Sequence, residues 1–81
     1  MGTKNNPSQF DCYKNAVPDE PMFILLARDP TAPAVVRRWV ALRREFIAAG
    51  IKPESDEAMC VEAMGVADAM EEWRKKNRPK A

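Results

Sequence analysis

The sequence lacks histidine altogether, and its 81 residues include only two cysteines. Without histidine the commonest general base of enzymes is absent, and no other nucleophile has a base at a suitable spacing. A zinc site would need two cysteines together with carboxylates, which is a rare ligand set. We therefore expect a protein that is not an enzyme and that uses no cofactor and no metal.

Long apolar runs are missing as well. The first ten residues lack the apolar stretch of a secretory signal, and no run approaches the roughly 20 residues of a membrane span. These absences predict a cytoplasmic protein that does not contact a membrane. In that compartment Cys12 and Cys60 are expected to be reduced, although the sequence leaves a disulfide between them open.

A chain this short buries only about 60 % of the surface that its unfolded form exposes. Because neither a disulfide framework nor a metal is indicated, the favoured source of additional burial is oligomerisation. The first expected partner is therefore a second copy of the chain.

The charges are segregated along the chain, although the formal net charge is only +1. Residues 31–49 contain four arginines and one glutamate, whereas residues 55–72 contain six acids and no base. The simplest interpretation is a basic helix beside an acidic helix, each neutralising the other. The near-zero net charge argues against a general affinity for polyanions.

Three segments are predicted. Residues 1–18 form a flexible N-terminal tail that becomes partly ordered near 10–18, because Phe10, Cys12 and Tyr13 are too apolar for a free tail. Residues 19–76 form a single β-α-α domain. Residues 77–81 form a frayed, basic C-terminus.

Met22–Arg28 is an apolar run bounded by prolines. Its length and its bounding prolines favour a short strand, and a helix of barely two turns is the alternative, which would make the fold an all-α three-helix structure. No second strand is visible to pair with this one. An unpaired strand is costly when buried and adhesive when exposed, so we expect it to pair with the same strand of a second copy.

Two long helices are predicted to form an antiparallel hairpin, because only a short connection separates them. The first helix is predicted to end at Gly50. Flanking residues widen its main apolar stripe, so that the apolar face is broader than a single partner helix would cover. The second helix, capped by Ser55, has a seam of small and flexible side chains. The stripe is Val35, Trp39, Leu42 and Phe46, its flank is Val36, Val40 and Ile47, and the seam is Met59, Ala63, Val66, Met70 and Trp73, flanked by Cys60, Met64 and Ala67.

Arg43 falls inside the apolar arc of the first helix. Its stem either packs on Trp39 while its head reaches water, or it lines a partly dry site for an anionic ligand or a partner carboxylate. The candidate ligand-binding residues are Tyr13, Arg28, Arg37, Trp39 and Arg43.

A strand followed by two helices is also the outline of ribbon-helix-helix regulators, which insert paired strands into the major groove of DNA. Those strands read base edges with polar side chains. In Met22–Arg28 only Arg28 has that ability, so a DNA-binding regulator is the alternative function and DNA is not an expected partner.

The segment DEPMFILLARDPTAPAVVRRW resembles a group of small uncharacterised bacteriophage and prophage proteins that share an Asp-Glu-Pro entry, an alternating Phe-x-Leu-x-Ala-x-Asp run, Ala-Pro and Val-Arg-x-Trp. The resemblance extends from Tyr13 to Trp73 and implies a phage setting in the host cytoplasm, without an activity. Together with the unpaired apolar run, the wide apolar arc of the first helix and Arg43 within that arc, this setting leads us to expect a non-enzymatic, homo-oligomeric binding protein, with countering host defence as its role. Such a protein would sequester an anionic nucleotide signal or block a host protein.

Overall fold

A computed structural model describes residues 1–77 of the chain. It contains three α-helices, Cys12–Asn15 (α1), Ala32–Ala48 (α2) and Glu57–Lys76 (α3), and a 3₁₀ turn at Glu54–Asp56 that leads into α3. The two long helices form an antiparallel hairpin, because Arg37 near the start of α2 pairs with Asp68 while Arg44 near its end pairs with Glu57. The predicted helical hairpin is therefore confirmed. The predicted fraying of residues 77–81 lies outside the described residues, except for Asn77, whose N–H bonds the carbonyl of Trp73 at 2.9 Å.

The start of α2 is fixed by the side chain of Asp29. Its carboxylate accepts hydrogen bonds from the Thr31 backbone N–H at 2.8 Å and from the Thr31 hydroxyl at 2.7 Å. Pro33 occupies the first helical turn, where its missing N–H costs no hydrogen bond. These bonds explain why the helix begins directly after an Asp-Pro turn.

The end of α2 is a glycine turn. Gly50 has a φ of +75°, a conformation that glycine adopts without a steric penalty. The N–H of Gly50 bonds the carbonyl of Ile47 at 3.1 Å, and the N–H of Ile51 bonds the carbonyl of Phe46 at 2.9 Å. This pair of bonds defines a Schellman motif, so the predicted role of Gly50 is confirmed.

The predicted cap of the second helix is wrong. Ser55 lies within the 3₁₀ turn rather than ahead of the helix, and α3 begins at Glu57. Pro53 holds the chain in an extended conformation directly before the 3₁₀ turn. The turn therefore precedes the helix along the chain, and Ser55 lies within the turn. The basic residues predicted for the last turn of α3 are present there: Arg74, Lys75 and Lys76.

The strand predicted at Met22–Arg28 is not formed. Residues 21–26 have no regular secondary structure, and the chain turns immediately afterwards, where the N–H of Asp29 bonds the carbonyl of Leu26 at 3.0 Å. The alternative helix at these positions is also absent. The reason is that a strand needs a neighbouring strand for its backbone groups, and residues 1–77 supply none. Within this range the fold is mainly helical, which agrees with the all-α alternative, although its third helix is α1.

The contact between α2 and α3 uses a different face of α2 from the one predicted. Val40 is buried at the centre of the hairpin, with Val36 and Ile47 packed beside it. The predicted main stripe lies one residue earlier around the helix: Trp39 of this stripe packs against the core, whereas Val35 and Phe46 keep 46 % and 45 % of their surface. The predicted flank is therefore the true hairpin contact. The predicted excess of apolar surface on α2 is observed.

On α3 the small residues make the hairpin contact. Cys60, Ala63 and Ala67 are buried against α2, while the larger residues of the predicted seam lie on a neighbouring face. Residues Val66 and Met70 of that face meet the N-terminal part of the chain. Small side chains form this contact because they let the two helices approach closely enough to enclose Val40.

The first residues of the chain lie against α3. Met1 packs on the core, and the hydroxyl of Ser8 donates a hydrogen bond to the carboxylate of Glu62. The flexibility predicted for residues 1–18 stays a prediction.

Candidate functional site

Two adjoining cavities, of about 400 and 600 Å³, lie between the N-terminal part of the chain and α3. We call them together the N-terminal groove. Their walls are largely apolar, and both include Leu25, Leu26, Val66 and Met70. Lys4 borders both cavities, and Arg28 borders the smaller one. The groove therefore combines an apolar floor with two cationic side chains and the carboxylate of Asp11, which lines the larger cavity.

Two of the predicted ligand-binding residues border this groove. Tyr13 lies on α1, keeps 71 % of its surface exposed and lines the larger cavity, whereas Arg28 lines the smaller one. The sequence missed Lys4, because a single lysine in a polar segment gives no periodic signal. Whether any of these residues binds a ligand stays a prediction.

Arg43 and Trp39 form a second cluster. The guanidinium carbon of Arg43 stands 5.1 Å from the centre of a Trp39 ring, within the range of a cation–π contact. One guanidinium nitrogen lies 3.2 Å from a carboxylate oxygen of Asp56, and these two side chains are only 22 % and 21 % exposed. The arginine is thus neither a free cation nor a snorkelling one. It joins α2 to the turn before α3.

Arg37 lies on the other edge of the hairpin. It bonds Asp68 at 2.7 Å and also contacts the carboxylate of Glu71, and these bonds, Asp68 first, raise the pKa of Arg37 above its ordinary value. Arg44 forms the matching contact with Glu57, at 2.7 Å from its Nη2. The predicted mutual neutralisation of the two helices is confirmed by these pairs.

The five predicted residues do not form one site. Trp39 and Arg43 lie together, Tyr13 and Arg28 border the N-terminal groove, and Arg37 is engaged by carboxylates of α3. An anionic ligand at Arg37 or Arg43 would have to displace a carboxylate of the same chain. The two arginines are better explained as members of ion pairs that stabilise the hairpin.

Exposed apolar surface is the most distinctive feature of the chain, and part of it borders the groove. The chain exposes 6616 Å², whereas a compact protein of 9.1 kDa is expected to expose about 4,900 Å². Phe23 and Ile24 keep 85 % and 59 % of their surface. Within the described residues the buried hydrophobic side chains are small: Ala32, Val40, Cys60, Ala63 and Ala67.

The two cysteines are far from equivalent. Cys12 is exposed and Cys60 is buried, and both are free thiols. Burial, followed by the nearby Glu57 carboxylate, raises the pKa of the Cys60 thiol. A thiol in this environment is a poor nucleophile, so Cys60 serves the packing of the hairpin.

No helix within residues 1–77 is both long and apolar enough to cross a membrane. Comparisons with protein-family models, with curated proteins and with solved structures find no match for this chain.

Proposed function

We propose that this protein is a non-enzymatic binding protein that acts as a homo-oligomer and attaches to a protein partner through residues 22–26. The observation that carries the proposal is the exposure of this segment, in which Phe23 keeps 85 % of its surface and Leu26 keeps 51 %. Contiguous apolar side chains on a small protein usually mark an interaction surface. A large aromatic residue at the centre of such a surface is a typical anchor for a protein partner.

The backbone of the same segment supports this proposal. Within residues 1–77, the backbone groups of residues 21–25 form no hydrogen bond with other backbone groups. Such a segment gains its missing hydrogen bonds when it lies beside a strand of another chain. The strand predicted from the sequence would then form on binding, beside a strand of the target or beside residues 22–26 of a second copy.

The resemblance of residues 13–73 to phage proteins supplies the proposed setting. In that setting the target is a host protein in the host cytoplasm, and blocking it would counter host defence. A chain of this size blocks a larger protein by covering a binding surface, which requires exposed apolar side chains and no catalytic group.

The test compares two substitutions at one exposed position. Ile24→Ser shortens the side chain but keeps the backbone N–H, while Ile24→Pro also removes that donor. Affinity purification from host cells should recover one host protein with the wild type. Ile24→Ser should recover less of that protein, and Ile24→Pro should recover none. Lys52→Ser, in the connection between α2 and α3, is the matched control and should retain the partner. Equal recovery with all four proteins would contradict the proposal.

An anionic nucleotide is a second candidate ligand, because Lys4 and Arg28 border the apolar groove that Tyr13 also lines. The two cations would contact phosphate oxygens, and the tyrosine ring would contact a base. At a hundredfold excess over its Kd, such a nucleotide should add about 2.7 kcal/mol to the free energy of unfolding. A thermal-shift screen of the wild type against Arg28→Ser measures this effect, and no shift with any nucleotide would remove the candidate.

The ribbon-helix-helix alternative has less support. Its strands present polar side chains to the bases, whereas the exposed side chains at Met22, Phe23 and Ile24 are apolar. A gel-shift titration with duplex DNA, repeated at two salt concentrations, tests it directly.

A further inference from the structure

The exposed stripe of α2 consists of Val35, Trp39, Leu42 and Phe46. Trp39 also packs against the hairpin core, whereas Val35, Leu42 and Phe46 keep 46 %, 40 % and 45 % of their surface. These residues recur at a helical spacing and so form one continuous apolar ridge. Within the described residues no element covers this ridge.

Two charged residues of opposite sign border the stripe. Arg38 and Glu45 share one edge of α2, because their positions differ by only a small angle around the helix. This edge faces away from α3, because it lies nearly opposite Val40, which is buried in the hairpin core. Neither forms an ion pair within residues 1–77. They are separated by about 10 Å along the axis, which is too far for them to pair with each other.

We propose that the α2 stripe is the surface through which two copies of this chain associate, with their α2 helices antiparallel about a two-fold axis. This arrangement places Val35 opposite Phe46 of the second copy and Trp39 opposite Leu42. The same symmetry brings Arg38 near Glu45 of the second copy, and it does so twice: the two positions are offset by about 3 Å along the axis, which these long side chains can span. The surface is therefore self-complementary in shape and in charge, as a two-fold interface requires. The inference rests on the homo-oligomer of the proposed function and names its contact.

The chain as a whole exposes 6616 Å², more than the roughly 4,900 Å² expected for its mass, so it has surface left to bury in an association. The formal net charge of +1 opposes association only weakly. A second copy is thus the partner that the charges and the spacing of the stripe favour.

The ion pairs give a test that depends on the antiparallel geometry. In Arg38→Glu two glutamates face each other at both contacts, and in Glu45→Arg two arginines do. We expect each variant to dimerise at least about tenfold more weakly than the wild type in sedimentation experiments, since two attractive pairs become repulsive. An equimolar mixture of the two variants should recover wild-type affinity, because every contact in the mixed dimer then joins a glutamate to an arginine.

Lys52→Glu changes the charge by the same amount in the connection between α2 and α3, and it should leave the dimer affinity unchanged. Circular dichroism should show all three variants to be folded, because the altered residues are exposed. If the wild type dimerises but both variants match it, or if mixing restores nothing, the α2 contact is wrong while the homo-oligomer of the proposed function stands. If the wild type stays monomeric at millimolar concentration, both are wrong.

Discussion

At the scale of single residues, Arg43 combines a contact with an aromatic ring and an ion pair. It faces the Trp39 ring at 5.1 Å and the Asp56 carboxylate at 3.2 Å, and both charged side chains are mostly covered. A charge in such a position is stabilising only while its partner remains. Arg43 therefore holds the turn at Glu54–Asp56 against α2.

Removing either charge should lower the free energy of unfolding. We expect Arg43→Met to cost about 1 kcal/mol, because the methionine keeps most of the packing on Trp39 but leaves Asp56 unpaired. Asp56→Asn should cost a similar amount. In the double variant the two losses should not add, and the coupling measured by urea denaturation should be about 0.5–1 kcal/mol. Strictly additive losses would show that the pair does not interact.

Asp29 offers a pH-dependent prediction. The hydroxyl of Thr31, and secondarily its backbone N–H, lower the pKa of Asp29 below the ordinary 3.8. Because the folded pKa lies below the unfolded one, the stabilisation is complete above the ordinary pKa and is lost as the pH falls through the folded value.

Replacing Thr31 by Val removes the hydroxyl and keeps the backbone donor. NMR titration of the Asp29 carboxyl should then give a pKa closer to the ordinary value, and the variant should lose less stability on acidification than the wild type. An unchanged titration would show that the hydroxyl does not hold the carboxylate.

At the scale of the helices, Gly50 and Gly65 allow a matched comparison of the effect of backbone conformation on stability. Gly50 has a φ of +75° in the turn that ends α2, whereas Gly65 lies within α3, and an added Cβ would meet nothing within 4 Å at either position. Backbone conformation alone then decides the result. Gly50→Ala should lower the free energy of unfolding by about 1 kcal/mol, and Gly65→Ala should raise it by about 0.5–1 kcal/mol. Chemical denaturation of the two variants checks both signs, and the same sign for both would contradict this account.

The helices were predictable because their signals are local. Gly50, the acids before α3 and the bases at its end each act within one turn of the helix, so the ends of the hairpin could be placed within a few residues. The charge pattern likewise predicted a basic helix beside an acidic one, but it did not identify Arg37 and Arg44 as the arginines that form the ion pairs.

The hairpin contact was misplaced because periodicity gives the width of an apolar face but not the part of it that a neighbour covers. The sequence favoured Trp39 and Phe46 as the largest side chains, but close approach of the helices depends on the small residues Cys60 and Ala63, which form the core with Val40. The segment at residues 22–26 was misassigned for another reason. Its composition favours a strand, but a strand forms only beside a second one, and residues 1–77 provide no second strand. The ion pairs of Arg43 and the position of Lys4 depend on tertiary contacts, so the sequence could not place a site there.

At the scale of the whole molecule, the distribution of charge and apolar surface is asymmetric. One edge of the hairpin carries the ion pairs of Arg37 and Arg44, while the α2 stripe lies on another face and is uncovered. If two copies associate through this stripe, as proposed, the protein gains stability with concentration by mass action.

This asymmetry predicts a melting temperature that rises with protein concentration. Leu42→Lys places a charge in the middle of the α2 stripe, so its melting temperature should be lower at high concentration and independent of concentration. Val61→Lys is the matched control, because Val61 is 60 % exposed on α3 and lies outside the stripe. Differential scanning calorimetry over a hundredfold concentration range makes the comparison. A wild-type melting temperature that does not change with concentration would contradict the prediction.

The contrast between Cys12 and Cys60 provides a measure of how often the hairpin opens. A thiol reagent can reach Cys60 only when α2 and α3 separate, whereas Cys12 is accessible at all times. In mass-spectrometric labelling, Cys12 should therefore react at the rate of a free thiol, and Cys60 should react more slowly by a factor that gives the free energy of opening. If the α2 stripe closes against a second copy, this factor should grow with protein concentration, and Cys60 would report assembly from the inside of each subunit.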